Sequence, residues 1–193
     1  MNRLLERSLI TVTHDSAGSL ARVDQARLRA IVAEHFEVLW RFLRRLGIPE
    51  HDVDDAVQEV ILVLARKLEK IESGRERSFV LSTAFRVASG FRRSGRRRRE
   101  VDDSPLAELE HPGASPESLL EQQRLRERLD VVLLDLPLEL RAVFVLYELE
   151  ELTMAEIAQS LGLRPGTAAS RLRRARQVFE ARVAAALTEG EAP

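Results

Sequence analysis

Arginines between residues 153 and 182 carry the chemistry that is most distinctive in this chain. An arginine side chain can donate two hydrogen bonds to O6 and N7 of guanine, or it can clamp a phosphate. At about 3.6 residues per helical turn, the polar side chains of this segment share one face and its flanks. We therefore predict contacts with the bases and phosphates of a DNA major groove. The candidate residues are Thr167, Ser170, Arg171, Arg173, Arg174 and Arg176, with Gln177 beside them.

Two helices joined by a tight turn would position these side chains. Thr153 and Glu156 form a T-x-x-E capping box, which starts the first helix. Gly162 can adopt the positive φ that ends this helix, and Pro165 suits the first turn of the next one. The apolar stripe opposite the arginines comprises Ala168, Leu172, Ala175, Phe179 and Val183. Because these signals occur together, they favour a helix-turn-helix that binds DNA over a surface helix whose charges are merely solvated.

The distribution of charge supports local rather than global attraction to DNA. The formal net charge is −1, yet residues 86–99 contain seven arginines and no acid, and residues 100–121 contain seven acids and no lysine or arginine. The absence of cysteine excludes disulfides and thiolate zinc sites, and it fits a reducing compartment. The sequence shows neither a signal peptide nor an apolar run near the roughly 20 residues that span a bilayer. We therefore expect a cytoplasmic protein without membrane insertion.

Residues 24–99 are predicted to form a three-helix domain. Apolar residues repeat at helical spacing until Gly47-Ile48-Pro49, which ends the first helix. A polar loop over 72–77, around Gly74, separates the second helix from a third over roughly 78–93. The inner stripe of the second helix is Val53, Ala56, Val57, Val60, Ile61, Leu64, Leu68 and Ile71. Three such amphipathic helices can close a small core.

The rest of the chain completes an all-α architecture of two small helical domains. Residues 1–23 are interpreted as an N-terminal extension. Residues 100–116 are acidic, contain three prolines and lack periodicity, so they are predicted to be a flexible linker. Residues 117–187 would form the second domain, which contains the helix-turn-helix. No strand signal longer than a few residues and no internal repeat accompany these patterns.

Two motifs resemble the extracytoplasmic-function (ECF) sigma factors of the bacterial sigma-70 family. The first is Asp54-Asp55-Ala56-Val57-Gln58-Glu59-Val60, which is similar to the D-x-x-Q-E-V pattern of family region 2. The second is the region 4 stretch LPLELRAVFVLYELEELTMAEIAQSLGLRPGTAASRLRRAR, from Leu136 to Arg176. The resemblance covers about residues 25–99 and 124–183, and the region 4 match is the more specific of the two.

This resemblance implies a promoter-specific initiation factor that binds the clamp formed by the largest subunits of core RNA polymerase. It also implies control by an anti-sigma factor, and we expect no enzymatic activity, no cofactor and no metal. The residues implied for polymerase binding are Asp54, Asp55, Gln58 and Glu59. The helix-turn-helix residues would bind the −35 element of promoter DNA. The −10 element would be bound by Arg75, Arg77, Arg86, Arg92 and Arg93, with a flipped base held by the 72–77 loop.

Several positions depart from the family pattern. Phe79 replaces the usual tryptophan of the third helix, and Arg86 and Gly90 stand where asparagine and aspartate are usual. In the recognition helix, Ala168 replaces a β-branched residue and Ala169 replaces a basic or polar one. Arg86 and Gly90 leave the details of −10 melting and −10 choice open, and the two alanines imply either fewer −35 base contacts or a different −35 sequence.

A stand-alone helix-turn-helix regulator is the main alternative function. The N-terminal helices would then serve dimerisation or sensing, and the helix-turn-helix by itself is compatible with either role. Dimeric regulators bind paired half-sites about 34 Å apart. An arginine cluster after the third helix and the acidic patch that contains Gln58 fit polymerase and melted DNA better than they fit a ligand pocket.

A metal-dependent phosphohydrolase is a further alternative from a different class. His51-Asp52 is a His-Asp dipeptide, and His35, Asp54 and Asp55 lie nearby in sequence. Divalent metals require imidazole and carboxylate ligands that converge on one centre. His35 falls in the middle of a helix, however, and the acid of His51-Asp52 suits a helix start, so the sequence disfavours a metal site.

Overall fold

The computed structural model describes residues 22–95 and 128–189, and within these ranges it contains helices and no strand. This confirms the all-α prediction, whereas the extension before residue 22 and the acidic linker lie outside the described residues. The N-terminal half (22–95) contains α1 (Arg22–Arg45), α2 (Glu50–Lys67), a 3-10 turn (Leu68–Lys70) and α3 (Glu76–Gly95). The C-terminal half (128–189) contains α4 (128–135), α5 (Leu138–Phe144), a π turn (Val145–Leu149), α6 (Met154–Leu161) and α7 (Pro165–Glu189).

The three N-terminal helices pack against one another around an apolar core. Every residue of the predicted inner stripe of α2 and the following turn is buried, which confirms the helical periodicity. Gly47 has a φ of +92°, so the turn after α1 uses a conformation that favours glycine. Leu81 and Ala88 of α3 are also buried, although the sequence interpretation did not place them in the core.

The start of α3 corrects one prediction. The helix begins at Glu76, so Glu76 and Arg77 belong to its first turn and not to the predicted 72–77 loop. An acidic side chain is favourable at a helix N-terminus, and a hydrogen bond from the residue's own backbone amide is the largest cause that lowers the pKa of Glu76. Arg27 of α1 donates to Glu76 Oε1 at 3.2 Å and to Ile71 O at 2.6 Å. This distant arginine thereby stabilises both sides of the loop.

The helix-turn-helix is confirmed in its local details. Glu156 N donates to Thr153 Oγ1 at 3.3 Å, and Thr153 N donates to Glu156 Oε2 at 2.8 Å, which completes the capping box. Gly162 ends α6 with a φ of +63°, and Pro165 is the first residue of α7. Three residues of the α7 stripe, Ala168, Leu172 and Ala175, are buried, while Phe179 and Val183 are partly buried.

We expect Thr153→Ala to lower the free energy of unfolding by about 1 kcal/mol, because the Glu156 amide in the first turn of α6 loses the hydroxyl that accepts its hydrogen bond. Thr153→Ser keeps the hydroxyl and should retain most of that stability. Urea unfolding followed by far-UV circular dichroism measures both differences. Equal stability of the alanine and serine variants would contradict a role for the cap.

The two halves pack directly against each other. Helix α6 lies against α3, and the π turn lies against α1. Buried residues from both halves belong to one contiguous hydrophobic cluster. The helix-turn-helix and the arginine-bearing helix α3 are therefore neighbours in this structure.

Candidate nucleic-acid interface

The outer face of α7 presents the predicted major-groove residues to solvent. Thr167, Ser170, Arg173 and Arg174 are exposed, and Arg171 is half-buried. Ser170 Oγ donates to Thr167 O at 3.0 Å, a local bond within the first turns of the helix. Arg173 and Arg174 form no ion pair with another described residue. Their guanidinium groups are thus available to base edges or phosphates.

Arg176 differs from the other arginines of α7 because it is held by the C-terminal half itself. Its Nε donates to Glu148 Oε1 at 2.6 Å, and its guanidinium lies 5.2 Å from the centre of the Tyr147 ring. The hydrogen bond to Glu148 is the first cause that raises the pKa of Arg176. These contacts join the π turn to α7. Its predicted part in −35 binding would require the side chain to leave Glu148 or to contact DNA while still paired.

The five arginines predicted for the −10 element lie along α3, from the loop that precedes the helix to its last turn. Arg75 is exposed and pairs with Glu72 at 3.1 Å, whereas Arg77 is half-buried and donates to Glu150 O at 3.3 Å. Arg86 is exposed and donates to Ser82, and Arg92 and Arg93 are exposed near the helix end. The arginine run continues to residue 99, but residues 96–99 lie outside the described part of the chain.

A groove of about 600 Å³ lies between α2 and α3 and connects two of the predicted surfaces. Arg86 and Arg93 from the predicted −10 set line it together with Glu59 from the predicted polymerase patch. Arg66 and Lys67 add two cations that the sequence interpretation missed. The sequence signal that could have indicated these two residues is their position, two turns beyond Glu59 on the same helix and at the exposed end of α2. Val63, Val87 and Phe91 form apolar parts of the wall.

The predicted polymerase patch lies on the outward side of α2. Asp55 and Glu59 are exposed, and Asp54 and Gln58 are half-buried. No described residue forms an ion pair with the three carboxylates. An acidic surface of this kind attracts a basic partner and steers its approach.

The structure does not assemble the residues considered for a metal centre. Among residues 22–95 and 128–189, no group of three or more histidine, cysteine or acidic side chains is placed to hold a metal ion. His51 Nε2 lies 3.4 Å from Asp52 Oδ2, so the dipeptide pairs internally at the start of α2. His35 is half-buried on α1, and burial is the largest cause that lowers its pKa.

Two charged residues of the C-terminal half have contacts that sequence reasoning missed. The Glu150 carboxylate accepts hydrogen bonds from Arg45 Nη1 at 2.8 Å and from Arg41 Nη2 at 3.0 Å. The Arg141 guanidinium donates to Leu46 O at 2.9 Å. Arg141 was recognised as part of a family motif, but no local pattern indicates that either residue contacts the turn or the helix end of α1.

The helix-turn-helix of this helical protein presents exposed arginines on its second helix. This arrangement places the protein in the class of helix-turn-helix DNA-binding proteins. Family profiles assign the chain more narrowly. The profile described as "Sigma-70 region 2" matches residues 31–99, and the one described as "Sigma-70, region 4" matches residues 126–178. With the relatives below, these matches show that the chain belongs to the sigma-70 family of RNA polymerase sigma factors, in its ECF group.

Curated relatives agree with this assignment. The chain is 31% identical over 148 residues to the ECF RNA polymerase sigma-E factor of Escherichia coli, covering 70% of this chain and 76% of that protein. It is 31% identical over 173 residues to the ECF RNA polymerase sigma factor SigE of Mycolicibacterium smegmatis, covering 86% of this chain but 65% of SigE. It is 28% identical to the RNA polymerase sigma factor NccH of Alcaligenes xylosoxydans, covering 81% of this chain and 86% of NccH.

Solved structures share the fold. CnrH, in complex with the cytosolic domain of CnrY, matches with a TM-score of 0.60 and 22% identity, over 96% of this chain and 99% of CnrH. The sigma factor RpoE, in complex with the anti-sigma factor NepR from Bartonella quintana, matches with a TM-score of 0.63 and 18% identity, over 79% of this chain and 93% of RpoE. In the described part of this chain, none of the helices has the length and apolarity required to cross a membrane.

Proposed function

We propose that this protein binds core RNA polymerase and directs it to promoters whose −35 and −10 elements it contacts. The observation that carries the proposal is the exposed arginine face of α7, in a chain that also matches sigma region 2. Residues 24–99 act as the polymerase-binding and −10-binding domain, and residues 117–187 act as the −35-binding domain. Residues 100–116, which lie outside the described residues, join them as an acidic linker.

Polymerase binding is assigned to the outward side of α2. The exposed carboxylates of Asp55 and Glu59, with Asp54 and Gln58 beside them, offer an acidic surface to a basic segment of the polymerase clamp. Charge complementarity of this kind raises the association rate and suppresses wrong partners. The absence of competing ion pairs among the described residues supports this use of the patch.

Promoter binding is divided between α7 and α3. The exposed Arg173 and Arg174, with Thr167, Ser170, Arg171 and Arg176, contact the −35 element in the major groove. Arg86, Arg92 and Arg93 contact phosphates of the −10 region. The loop before α3 holds a flipped base, with Arg75 in the loop and Arg77 in the first turn of the helix. Flipping costs a few kcal/mol of stacking and pairing, which contacts with polymerase and protein must offset.

Regulation by an anti-sigma factor follows from the same assignment. The two structural neighbours were solved with partners, one described as the cytosolic domain of CnrY and the other as the anti-sigma factor NepR. The protein acts in the cytoplasm, where polymerase and DNA are found, and it acts by binding and not by catalysis. A co-purified partner that blocks core binding would identify the regulator.

Run-off transcription tests the proposed function directly. Purified polymerase core is incubated with and without this protein on a promoter library from the source genome. Specific transcripts that require the protein are expected, and their start sites give the −35 and −10 sequences together. A palindromic footprint on duplex DNA, with neither core binding nor initiation, would instead establish a stand-alone regulator.

A charge reversal in the acidic patch tests its role in polymerase binding. We expect Asp55→Arg to weaken core binding by at least about tenfold, because close interfacial charge pairs have coupling energies of about 1.5–7 kcal/mol. Glu69→Arg, at an exposed site outside the patch, makes the same charge change and should leave core binding unchanged. Fluorescence anisotropy with labelled core measures both affinities. Equal losses in the two variants would remove Asp55 from the interface.

A further inference from the structure

Arg176 combines an exposed position on α7 with a side chain that is held in place. Its Nε donates a hydrogen bond to Glu148 Oε1 at 2.6 Å, and its guanidinium lies 5.2 Å from the centre of the Tyr147 ring. Both partners belong to the π turn and not to α7. The side chain of Arg176 is nevertheless 46% exposed. The π turn therefore holds this arginine without covering it.

These contacts engage one nitrogen of the guanidinium and leave the other two. In the described part of the chain, no residue accepts a hydrogen bond from Nη1 or Nη2 of Arg176. Those two groups carry most of the N–H donors of an arginine, and they form the fork that matches a phosphate. Because Nε is bonded to a carboxylate and the guanidinium lies over Tyr147, the direction of the fork is set before any ligand arrives.

The position of Arg176 along α7 corresponds to the rim of a major groove. Arg176 lies three residues after Arg173, so their side chains are neighbours on the helix surface. It lies nine residues after Thr167, which corresponds to about 14 Å along the helix axis. A major groove is about 8.5 Å deep. A helix that inserts its first turns therefore leaves Arg176 at the level of the phosphates that border the groove.

We propose that Arg176 contacts a phosphate beside the −35 element while it stays bonded to Glu148, and that Glu148 and Tyr147 are positioning residues for this contact. The inference rests on the proposed function and adds residues outside α7 to the −35 surface. A free arginine side chain loses much of its rotamer freedom when it binds, and one that is already held loses less. The π turn thus orders the arginine in advance, although the charge of Glu148 by itself repels DNA.

The negative charge of Glu148 makes the sign of one effect decisive. Removal of an acid near DNA favours binding on electrostatic grounds, because the phosphates are negative. Glu148→Gln removes this charge with little change in volume, and it also removes the strong charge-assisted bond to Arg176. If Glu148 only screens the arginine, the variant binds −35 DNA more tightly. If Glu148 positions the arginine, the variant binds more weakly.

Competition binding of polymerase holoenzyme to a duplex with the −35 element recovered by run-off transcription measures this effect. We expect Glu148→Gln to lower the affinity about two- to tenfold, the range expected when a side chain must be immobilised on binding. Glu180→Gln is the matched control, because Glu180 is exposed one turn beyond Arg176 and forms no ion pair with a described residue. The control should bind at least as tightly as the unaltered protein.

Substitutions of Arg176 separate its charge from its orientation. Arg176→Ala should make the slope of log K against log salt shallower by about 0.9, since one phosphate contact is lost. Arg176→Lys keeps the charge but has neither Nε nor the fork, so affinity should fall while the slope stays nearly unchanged. This variant leaves the π turn unaltered, so it tests orientation even if Glu148→Gln disturbs the fold.

A double-mutant cycle shows whether Glu148 acts through Arg176. In the Arg176→Ala background, Glu148→Gln should cause no further loss of affinity. A merely structural role of Glu148 would give the same loss in both backgrounds. Tyr147→Leu should also weaken binding, and Tyr147→Phe, which keeps the ring, should weaken it less.

The outcomes are distinct from those of the proposed function. Unchanged or higher affinity of Glu148→Gln, or an equal loss with and without Arg176, would overturn the positioning role. An unchanged salt slope in Arg176→Ala would overturn the phosphate contact. Absence of initiation by the unaltered protein would refute the proposed function, and the same variants would then decide the positioning role on the duplex that the protein binds alone.

Discussion

Arg141→Ala is expected to lower the free energy of unfolding by roughly 3–5 kcal/mol, because it removes a buried guanidinium from three carbonyl groups. The residue is 3% exposed. Its Nη1 donates to Leu46 O at 2.9 Å, and its Nη2 donates to Leu136 O at 3.0 Å and to Leu134 O. Burial lowers the pKa of Arg141 to about 10, so the side chain keeps its charge and its donors at neutral pH. Alanine would leave these acceptors without partners in a closely packed region.

Urea unfolding followed by two probes measures this effect. Trp40, the single tryptophan of the chain, reports on α1, and far-UV circular dichroism reports on all helices. Arg141→Lys retains a charge but cannot form the fork of hydrogen bonds, so an intermediate loss is expected. Arg164→Ala, at an exposed position before α7, is the control and should change stability little. A loss below about 1 kcal/mol in Arg141→Ala would contradict the structural role.

Because Arg141 joins the two halves, its removal should also change cooperativity. In the unaltered protein the two probes should give the same unfolding midpoint. If the contact with Leu46 couples the halves, the Trp40 midpoint and the circular dichroism midpoint should separate in Arg141→Ala. Coincident transitions in the variant would show that the other contacts, such as those of Glu150, suffice to keep the halves coupled.

Local signals were enough to predict the elements of this fold. A capping box, a glycine with positive φ and a proline at a first helical turn each act within a few residues, and all three are observed at Thr153, Gly162 and Pro165. The buried stripe of α2 follows equally directly from the period of its apolar residues. Such signals act before any tertiary contact forms, so a single sequence displays them.

Contacts between distant residues were not predictable in the same way. Glu150 lies 105 positions from Arg45, and nothing in the local sequence distinguishes it from the exposed Glu151 that follows. The start of α3 was placed two residues late because Arg27, which holds Glu76, lies 49 positions earlier in the chain. Charged residues at the ends of helices can be solvated or paired, and only the packing of the halves decides which.

In the candidate site, too, features set by local periodicity were predictable and contacts between distant residues were not. Exposure of Arg173 and Arg174 followed from helical periodicity, since they lie opposite the buried stripe of α7. The partners of Arg176 and Arg77 did not follow, because Glu148 and Glu150 belong to the region of the π turn, whose geometry no sequence signal indicated. The roles of these arginines in DNA binding remain predictions that substitution must test.

Arg174→Ala should cost roughly 1–3 kcal/mol of base discrimination, because a bidentate arginine–guanine contact supplies about that much. Arg174 is exposed on the outer face of α7 and has no ion pair among the described residues, so its fork can reach a base edge. The change should appear as an approximately 5- to 150-fold loss of preference for one base of the −35 element. Competition binding of polymerase holoenzyme to promoters that differ at single −35 positions measures it.

The salt dependence of binding distinguishes a base contact from a phosphate contact. If Arg174 reads a base, discrimination at one position falls; if it neutralises a phosphate, affinity falls for all sequences and the slope of log K against log salt becomes shallower by about 0.9. Arg182→Ala is the matched control, because Arg182 is exposed farther along α7 and pairs with Asp135 at 3.4 Å. It should alter neither quantity. Unchanged promoter preference with a shallower slope would assign Arg174 to the DNA backbone, and base recognition would then fall to Arg173 or Arg171.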